Sequence, residues 1–125
     1  MIVEKGWGHE EVFASTDKYC GKLLVFKTGG QSSMHFHLYK DETWRCLTGR
    51  FTVQMLDTDD AKMKTFNFIP GGRLHVASMV PHRIICHESG TILEVSTPDS
   101  AEDNYRIAPG DSQLKTTKAK GATTE

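Results

Sequence analysis

The hydrophobic pattern of this chain repeats every second residue in several short segments. Between residues 51 and 56, Phe51, Val53 and Met55 alternate with Thr52 and Gln54, as expected for a β-strand with one buried face. No segment of useful length has the roughly 3.6-residue period of a helix. The pattern predicts strands at about residues 10–14, 19–28, 42–48, 51–56, 61–69, 74–77, 83–86 and 91–96.

Turn-forming residues separate these segments. Gly, Pro or Ser bounds most of them, and many short strands at spacings of roughly eight to twelve residues indicate an all-β sandwich or barrel. The length of 125 residues suits one domain, which we place at residues 1–110. Residues 111–125 contain one large apolar residue, Leu114, so we expect a flexible C-terminal tail.

The composition excludes several classes of function. Lys and Arg total 15 against 16 Asp and Glu, and no basic run suggests a nucleic-acid partner. The longest apolar run, residues 23–26, is far too short for a membrane span, and residues 1–15 do not resemble a signal peptide. Cys20, Cys46 and Cys86 are odd in number and lack C-x-x-C spacing, which predicts reduced core residues. We therefore expect a cytoplasmic protein.

The main chemical signal lies between Gly29 and Gly49. His35 and His37 project from the same face if this segment is a strand, and Glu42 follows closely. Two imidazoles and one carboxylate suit a divalent transition metal with coordination positions open to water or substrate. A lone His-x-His also occurs by chance in many proteins, so the surrounding sequence decides between the two readings.

The surrounding sequence reads G-x5-H-x-H-x4-E-x6-G, with Gly29 and Gly49 at its ends. This pattern resembles the first signature of the cupin superfamily at every fixed position. The resemblance implies a cupin double-stranded β-helix, which is a jelly-roll barrel. It also implies a metal centre with ligands His35, His37 and Glu42, and one further histidine from a later strand.

Two histidines are candidates for that fourth ligand. His75 ends the string Pro70-Gly71-Gly72-Arg73-Leu74-His75, which matches the P-x-G-x-x-H core of the second cupin signature. His82 fits the longer form G-x5-P-x-G-x2-H if Ala77 and Met79 occupy the proline and second glycine positions. It also lies in Pro81-His82-Arg83-Ile84, which resembles the ligand string of sugar-isomerase-like cupins. We favour His82 and keep His75 as the alternative.

Three further strings resemble sugar-isomerising cupins. The opening K-x-W-G-x-E at residues 5–10 and the ending at residues 94–106 resemble mannose-6-phosphate isomerase-like members. Residues 34–42, M-H-F-H-x-x-K-x-E, resemble D-lyxose isomerases. These likenesses imply Glu94 and Lys40 as catalytic residues, because an aldose–ketose proton shift needs a base beside a metal-polarised carbonyl. Glu94 could instead face solvent or pair with Arg83.

The resemblance leaves the exact function open. We expect a small-molecule substrate, a sugar or sugar phosphate, contacted by Trp44, Arg45 and Arg83; Arg106 is another candidate for phosphate, and Trp44 could merely fill the barrel. The metal would be Zn, Mn, Fe, Ni or Co. A metal-dependent sugar isomerase is our first hypothesis; an Fe(II)-dependent dioxygenase and a non-catalytic saccharide-binding cupin are alternatives. Family resemblance also implies a homodimer.

Overall fold

A computed structural model describes residues 1–114, and these residues form eleven strands in two antiparallel sheets. The predicted tail extends beyond them, so its residues 115–125 lie outside the described part of the chain. The strands are β1 (Ile2–Lys5), β2 (Gly8–Ser15), β3 (Cys20–Phe26), β4 (Met34–Phe36), β5 (Glu42–Cys46), β6 (Arg50–Asp57), β7 (Lys62–Phe68), β8 (Arg73–Val76), β9 (His82–Glu88), β10 (Gly90–Ser96) and β11 (Tyr105–Ala108).

The two sheets interleave along the sequence. One has the strand order β1-β2-β3-β10-β5-β8 and the other β11-β4-β9-β6-β7, so strands that are distant in sequence become neighbours. This double-sheet arrangement is a jelly roll, and the predicted all-β fold class is confirmed. Within residues 1–114, no helix is long and apolar enough to cross a membrane.

The interior changes from polar to apolar along the barrel axis. Glu94 lies opposite Lys22 of β3 and Trp44 of β5. Two residues earlier on the same face of β10, Ile92 lies opposite Leu24 and Cys46. Because side chains at i and i+2 share a face of a strand, adjacent interior layers can differ in chemistry. Charged groups therefore collect at one end of the barrel.

The apolar end forms the core. Trp7 stacks on Phe26 with ring centroids 4.0 Å apart, and Phe26 meets Phe51 edge to face at 5.5 Å. Aromatic contacts of this kind add to the free energy gained from apolar burial. The buried cluster comprises Trp7, Leu24, Phe26, Trp44, Cys46, Phe51, Val53, Phe68, Val76, Ile84, Cys86 and Ile92. It closes this end of the barrel.

Both glycines that bound the first signature adopt left-handed backbone conformations. The φ angle is +83° at Gly29 and +86° at Gly49, and side-chain-bearing residues rarely adopt such values. At Gly49 a β-carbon would also approach the Glu88 carbonyl oxygen to 2.7 Å. The spacing between the two glycines thus reflects two tight turns that bracket β4 and β5.

The sequence pattern missed the first and last strands. β1 pairs with β2 through a two-residue turn at Gly6 and Trp7, although we expected the first strand to begin near Glu10. β11 pairs with β4. Each has only four residues, and their positions depend on pairing with distant partners, so local alternation gave no clear signal.

Residues 111–114 form one helical turn beside the barrel. The Asp111 carboxylate accepts a hydrogen bond from the Gln31 backbone N–H at 2.8 Å, and the Asp111 N–H donates to the Gln31 carbonyl at 2.9 Å. This reciprocal pair joins the start of the predicted tail to the segment that precedes β4.

Candidate metal centre and cavity

The four predicted ligands converge at the polar end of the barrel. His35 of β4 lies directly opposite His82 of β9, and one ring nitrogen from each of His35, His37 and His82 lies within 4.8 Å of the others. Glu42 Oε2 lies 3.5 Å from His37 Nε2 and 3.8 Å from His82 Nε2. Three nitrogens thus converge on one point, and the Glu42 oxygen lies beside two of them.

The Glu42 carboxylate has one satisfied and one unsatisfied oxygen. Its Oε1 accepts a hydrogen bond of 2.7 Å from Trp44 Nε1. Its Oε2 is buried and has no hydrogen-bond partner among residues 1–114. An unpaired carboxylate oxygen is costly to bury. A divalent cation between this oxygen and the imidazoles would remove that cost, so the residues fit a metal.

Backbone carbonyls fix the tautomers of the three imidazoles. His35 Nδ1 donates to the Ser33 carbonyl at 2.9 Å, His82 Nδ1 donates to the Val80 carbonyl at 2.9 Å, and His37 Nδ1 donates to the Asp103 carbonyl. A carbonyl oxygen can only accept, so each Nδ1 carries the proton. Each Nε2 therefore keeps its lone pair for a metal, as in the outer shells of known metal sites.

Burial keeps these imidazoles neutral. It lowers the pKa of His35 to about 2, with a further contribution from His82. It also lowers the pKa of His82 to about 4 and that of His37 below its ordinary value. Metal binding requires the neutral form, which all three histidines therefore hold at neutral pH.

Asp103 organises the loop between the histidines and Glu42. Its carboxylate accepts hydrogen bonds from the backbone N–H groups of Leu38, Tyr39 and Lys40 at 2.7, 3.1 and 3.0 Å. Burial raises the pKa of Asp103, but these three donors outweigh it and lower the pKa overall. We did not predict this role. Its signal was the acidic string at residues 102–103 in the C-terminal resemblance.

An ion-pair network occupies the adjacent interior layer. Lys40 Nζ lies 2.8 Å from Glu94 and 3.3 Å from Asp99, while Lys22 Nζ lies 2.6 Å from Asp99 and 3.2 Å from Glu10. The alternative that Glu94 pairs with Arg83 or faces solvent is excluded, because Glu94 is buried against Lys40.

The two residues predicted to be catalytic have perturbed proton affinities. Burial raises the pKa of Glu94, and the neighbouring Glu42 carboxylate adds to that increase. Burial alone would lower the pKa of Lys40, but the carboxylates of Glu94, Glu42 and Asp99 raise it overall. Buried, coupled groups of this kind are typical of functional sites, although structural ion pairs share the property.

The ligands and the network line one open cavity of about 370 Å³. Trp44, His82 and Glu94 contribute to its walls, and Leu24 and Phe26 form part of its apolar floor. This volume lies at the lower end of the range for small-molecule sites.

The residues predicted to contact substrate divide into two groups. Trp44 lines the cavity. Arg45 lies on the opposite face of β5, where it is exposed, and Arg83 donates to the carbonyls of Ser32 and Pro109 at 3.1 and 2.9 Å. Neither arginine is among the cavity-lining residues. The expectation that Arg45 and Arg83 contact a substrate there is not supported by their positions.

The alternative fourth ligand lies outside the centre. His75 is exposed on β8, and its Nε2 contacts Asp41 at 2.9 Å. Met79, which takes the second glycine position when His82 is the ligand, has a φ of +68°. A left-handed conformation at that position is what a glycine in the longer signature would supply.

Comparisons with known proteins address the fold. No protein-family model and no curated protein matches the sequence. Among solved structures, oxalate decarboxylase from Bacillus subtilis, described with Mn(II) centres, superposes with a TM-score of 0.75 at 16% identity over 86% of this chain and 30% of that chain. CapF, a capsular polysaccharide assembling protein from Staphylococcus aureus, gives 0.73 at 14% identity over 86% and 32%.

A third similar structure is closer to this chain in length than the other two. KdgF from Halomonas sp. gives a TM-score of 0.62 at 16% identity, covering 75% of this chain and 81% of that chain. By contrast, this chain spans only about a third of the oxalate decarboxylase and CapF chains. Identities this low identify the fold and not the activity. The strand topology and these neighbours together show that the chain has the cupin fold.

Proposed function

We propose that this protein is a divalent-metal cupin whose ligands are His35, His37, Glu42 and His82, and that it catalyses sugar or sugar-phosphate isomerisation. The observation that carries the proposal is the position of the Lys40–Glu94 pair, 2.8 Å apart and buried, in the same cavity as the ligand set. A metal alone would fit many binding proteins, whereas a buried acid–base pair beside it supports proton transfer.

The spacing of the residues supports this chemistry. Glu94 lies opposite Trp44, and Glu42 is two residues before Trp44 on the same face of β5, which makes Glu42 and Glu94 diagonal neighbours with α-carbons about 7–8 Å apart. A bound divalent metal would polarise a substrate carbonyl. In this proposal Glu94 accepts the proton from the adjacent carbon and returns it to the former carbonyl carbon, while the proton of the adjacent hydroxyl group moves to the former carbonyl oxygen.

Lys40 has a supporting role in this proposal. Its ammonium contacts Glu94 and Asp99, so it favours the ionised form of Glu94 that a general base requires. Burial and Glu42 act against that form by raising the Glu94 pKa. The balance of these effects gives a carboxylate that is more basic than usual, as proton abstraction from carbon requires.

The test combines metal analysis with isotope exchange. Purified protein is analysed for Zn, Mn, Fe, Ni and Co by mass spectrometry. It is then incubated in D₂O with aldoses, ketoses and their phosphates, where the proposal expects deuterium at the carbon beside the carbonyl. Fe(II)-dependent oxygen uptake without exchange would identify a dioxygenase instead, and saccharide binding without turnover would identify a binding protein.

We further propose that the protein is a homodimer. β1, β8, β7 and β11 lie at the sheet edges, and exposed edges in proteins are commonly covered by pairing with another chain. Light scattering on the full-length protein tests this directly, and a mass of one chain at micromolar concentration would contradict it.

A further inference from the structure

The cavity contains two kinds of cationic residue. Lys22 and Lys40 are each paired with two carboxylates. Lys5 and Arg106 also line the cavity, but neither forms an ion pair with a carboxylate of residues 1–114. The charges of Lys5 and Arg106 are therefore available to a ligand.

Arg106 lies beside the metal centre. It is the direct cross-strand partner of His35 in the β11–β4 pair. Cross-strand partners project from the same face with β-carbons about 4.5–5.5 Å apart, so Arg106 shares the cavity face with a proposed ligand. β11 is an edge strand and Arg106 is exposed, which places the guanidinium at the mouth of the cavity.

Lys5 lines another part of the cavity: it lies opposite Gly8, which lies opposite Phe26 at the apolar end of the barrel. It is half-buried at the end of β1, and Val3, two residues earlier, also lines the cavity. The next residue, Gly6, donates its N–H to Ser112 Oγ at 3.0 Å, in the segment that follows β11. This hydrogen bond joins the turn after β1 to the helical turn that follows β11.

Asn104 provides a second polar group at this mouth. It lies two residues before Arg106 and lines the cavity. Its side-chain oxygen is buried and has no hydrogen-bond partner among residues 1–114. An unpaired acceptor of this kind suits a ligand hydroxyl. One unpaired cation, Arg106, and one unpaired acceptor, Asn104, therefore lie on the same side of the cavity as His35.

We propose that Arg106 forms an anion-binding subsite, so that the ligand of this cavity is a sugar that carries a phosphate or a carboxylate. An arginine side chain binds either group through paired N–H···O hydrogen bonds. The inference rests on the proposed function only in assuming that other oxygens of the same ligand reach the metal.

The test compares ligands that differ in charge. Metal-loaded full-length protein is titrated calorimetrically with a neutral hexose, the same hexose as its 6-phosphate, and the corresponding hexuronate. We expect at least one anionic ligand to bind about tenfold or more tightly than the neutral sugar, as for hydrogen bonds between charged groups. The tighter of the two anions identifies the charged group of the natural ligand.

Amino-acid substitutions test which side chain causes the preference for an anionic ligand. Arg106→Gln should remove most of this advantage, because the dissociation constant of the anionic ligand should rise more than that of the neutral sugar. Arg73→Gln and Lys18→Gln are matched controls, because both residues are exposed outside the cavity, and both variants should keep the advantage. Equal binding of all three ligands, absence of any binding, or an advantage that survives Arg106→Gln would overturn the subsite.

The outcome is separable from that of the proposed function. Binding is measured here, whereas the isomerase proposal depends on isotope exchange. A charge preference without exchange would leave the subsite standing and reject the isomerase. Isotope exchange on neutral sugars, with no preference for a charged ligand, would support the isomerase and reject the subsite.

Discussion

His35 and His82 face each other directly across the β4–β9 pair, and their ring centroids lie 4.4 Å apart. β4 has three residues and His35↔His82 is its one register pair with β9. A metal held by both histidines would therefore cross-link a short strand to the centre of its sheet. Metal binding and local stability should be coupled at this point.

Removal of His82 should abolish tight metal binding. His82→Ala deletes one of three convergent nitrogens, so dialysed protein should lose its metal and metal addition should no longer raise the melting temperature. Metal content is measured by mass spectrometry, and circular dichroism checks that the barrel is folded. His75→Ala is the matched control, and equal metal loss in both variants would argue against His82 as the ligand.

Glu94→Gln should separate metal binding from proton transfer. The substitution keeps the size of the side chain, and Lys40 retains its contact with Asp99 at 3.3 Å. Metal content should therefore match the parent, while isotope exchange should fall by about 10²-fold or more. Glu11→Gln, on an exposed position of β2, should leave exchange intact. Unchanged exchange in Glu94→Gln would eliminate Glu94 as the base.

Asp103→Ala should lower the metal affinity, although Asp103 is not one of the proposed ligands. The change leaves three backbone N–H groups of residues 38–40 without their acceptor and loosens the loop that joins His37 to Glu42. We expect a loss of about 1–3 kcal/mol in the free energy of unfolding and a metal affinity reduced about 10–100-fold. Glu102→Ala, an exposed neighbour, should change neither quantity.

Asp99 should contribute to stability in a defined pH range. Burial raises its pKa, but Lys40 and Lys22 outweigh this and lower the pKa to about 2. Because the folded-state pKa lies below that of the unfolded chain, the contribution is complete above pH 4 and is lost as the pH falls towards 2. In urea unfolding at a series of pH values, Asp99→Asn should be less stable at pH 7 and decline less steeply below pH 4.

A matched variant tests whether Asp99 causes the loss of stability at acid pH. Asp17→Asn removes an exposed carboxylate in the turn between β2 and β3 and should retain the steep acid decline. A parallel decline in the parent and Asp99→Asn would show that other carboxylates govern the acid response.

Met79→Gly should not destabilise the protein. Met79 is 60% exposed and has a φ of +68°, a conformation that costs a non-glycine residue about 1 kcal/mol or more. Relief of this strain should offset the added chain entropy of glycine. Ser78→Gly, where φ is not positive, should lower the free energy of unfolding by about 0.5–1 kcal/mol. Equal losses in both variants would contradict strain at Met79.

The sequence by itself determined the fold class and the core of the candidate centre. Alternation along β5 placed Glu42 and Trp44 on one face and Arg45 on the other, so the exclusion of Arg45 from the cavity was already implicit in the pattern. His35 and His37 lie two residues apart, so their common direction follows from the two-residue period of an extended chain. Glu42 lies on β5 in the other sheet, so its approach to them depends on the tertiary structure.

Only the tertiary structure decided which distant groups complete the site. The approach of His82 to His35, of Asp99 to Lys22 and Lys40, and of Arg106 to His35 depends on strand pairing between segments far apart in the chain. Local alternation fixes the face on which a side chain lies, but not its cross-strand partner, because partners are set by sheet order and register. The charged network and the unpaired Arg106 beside His35 are consequences of that register.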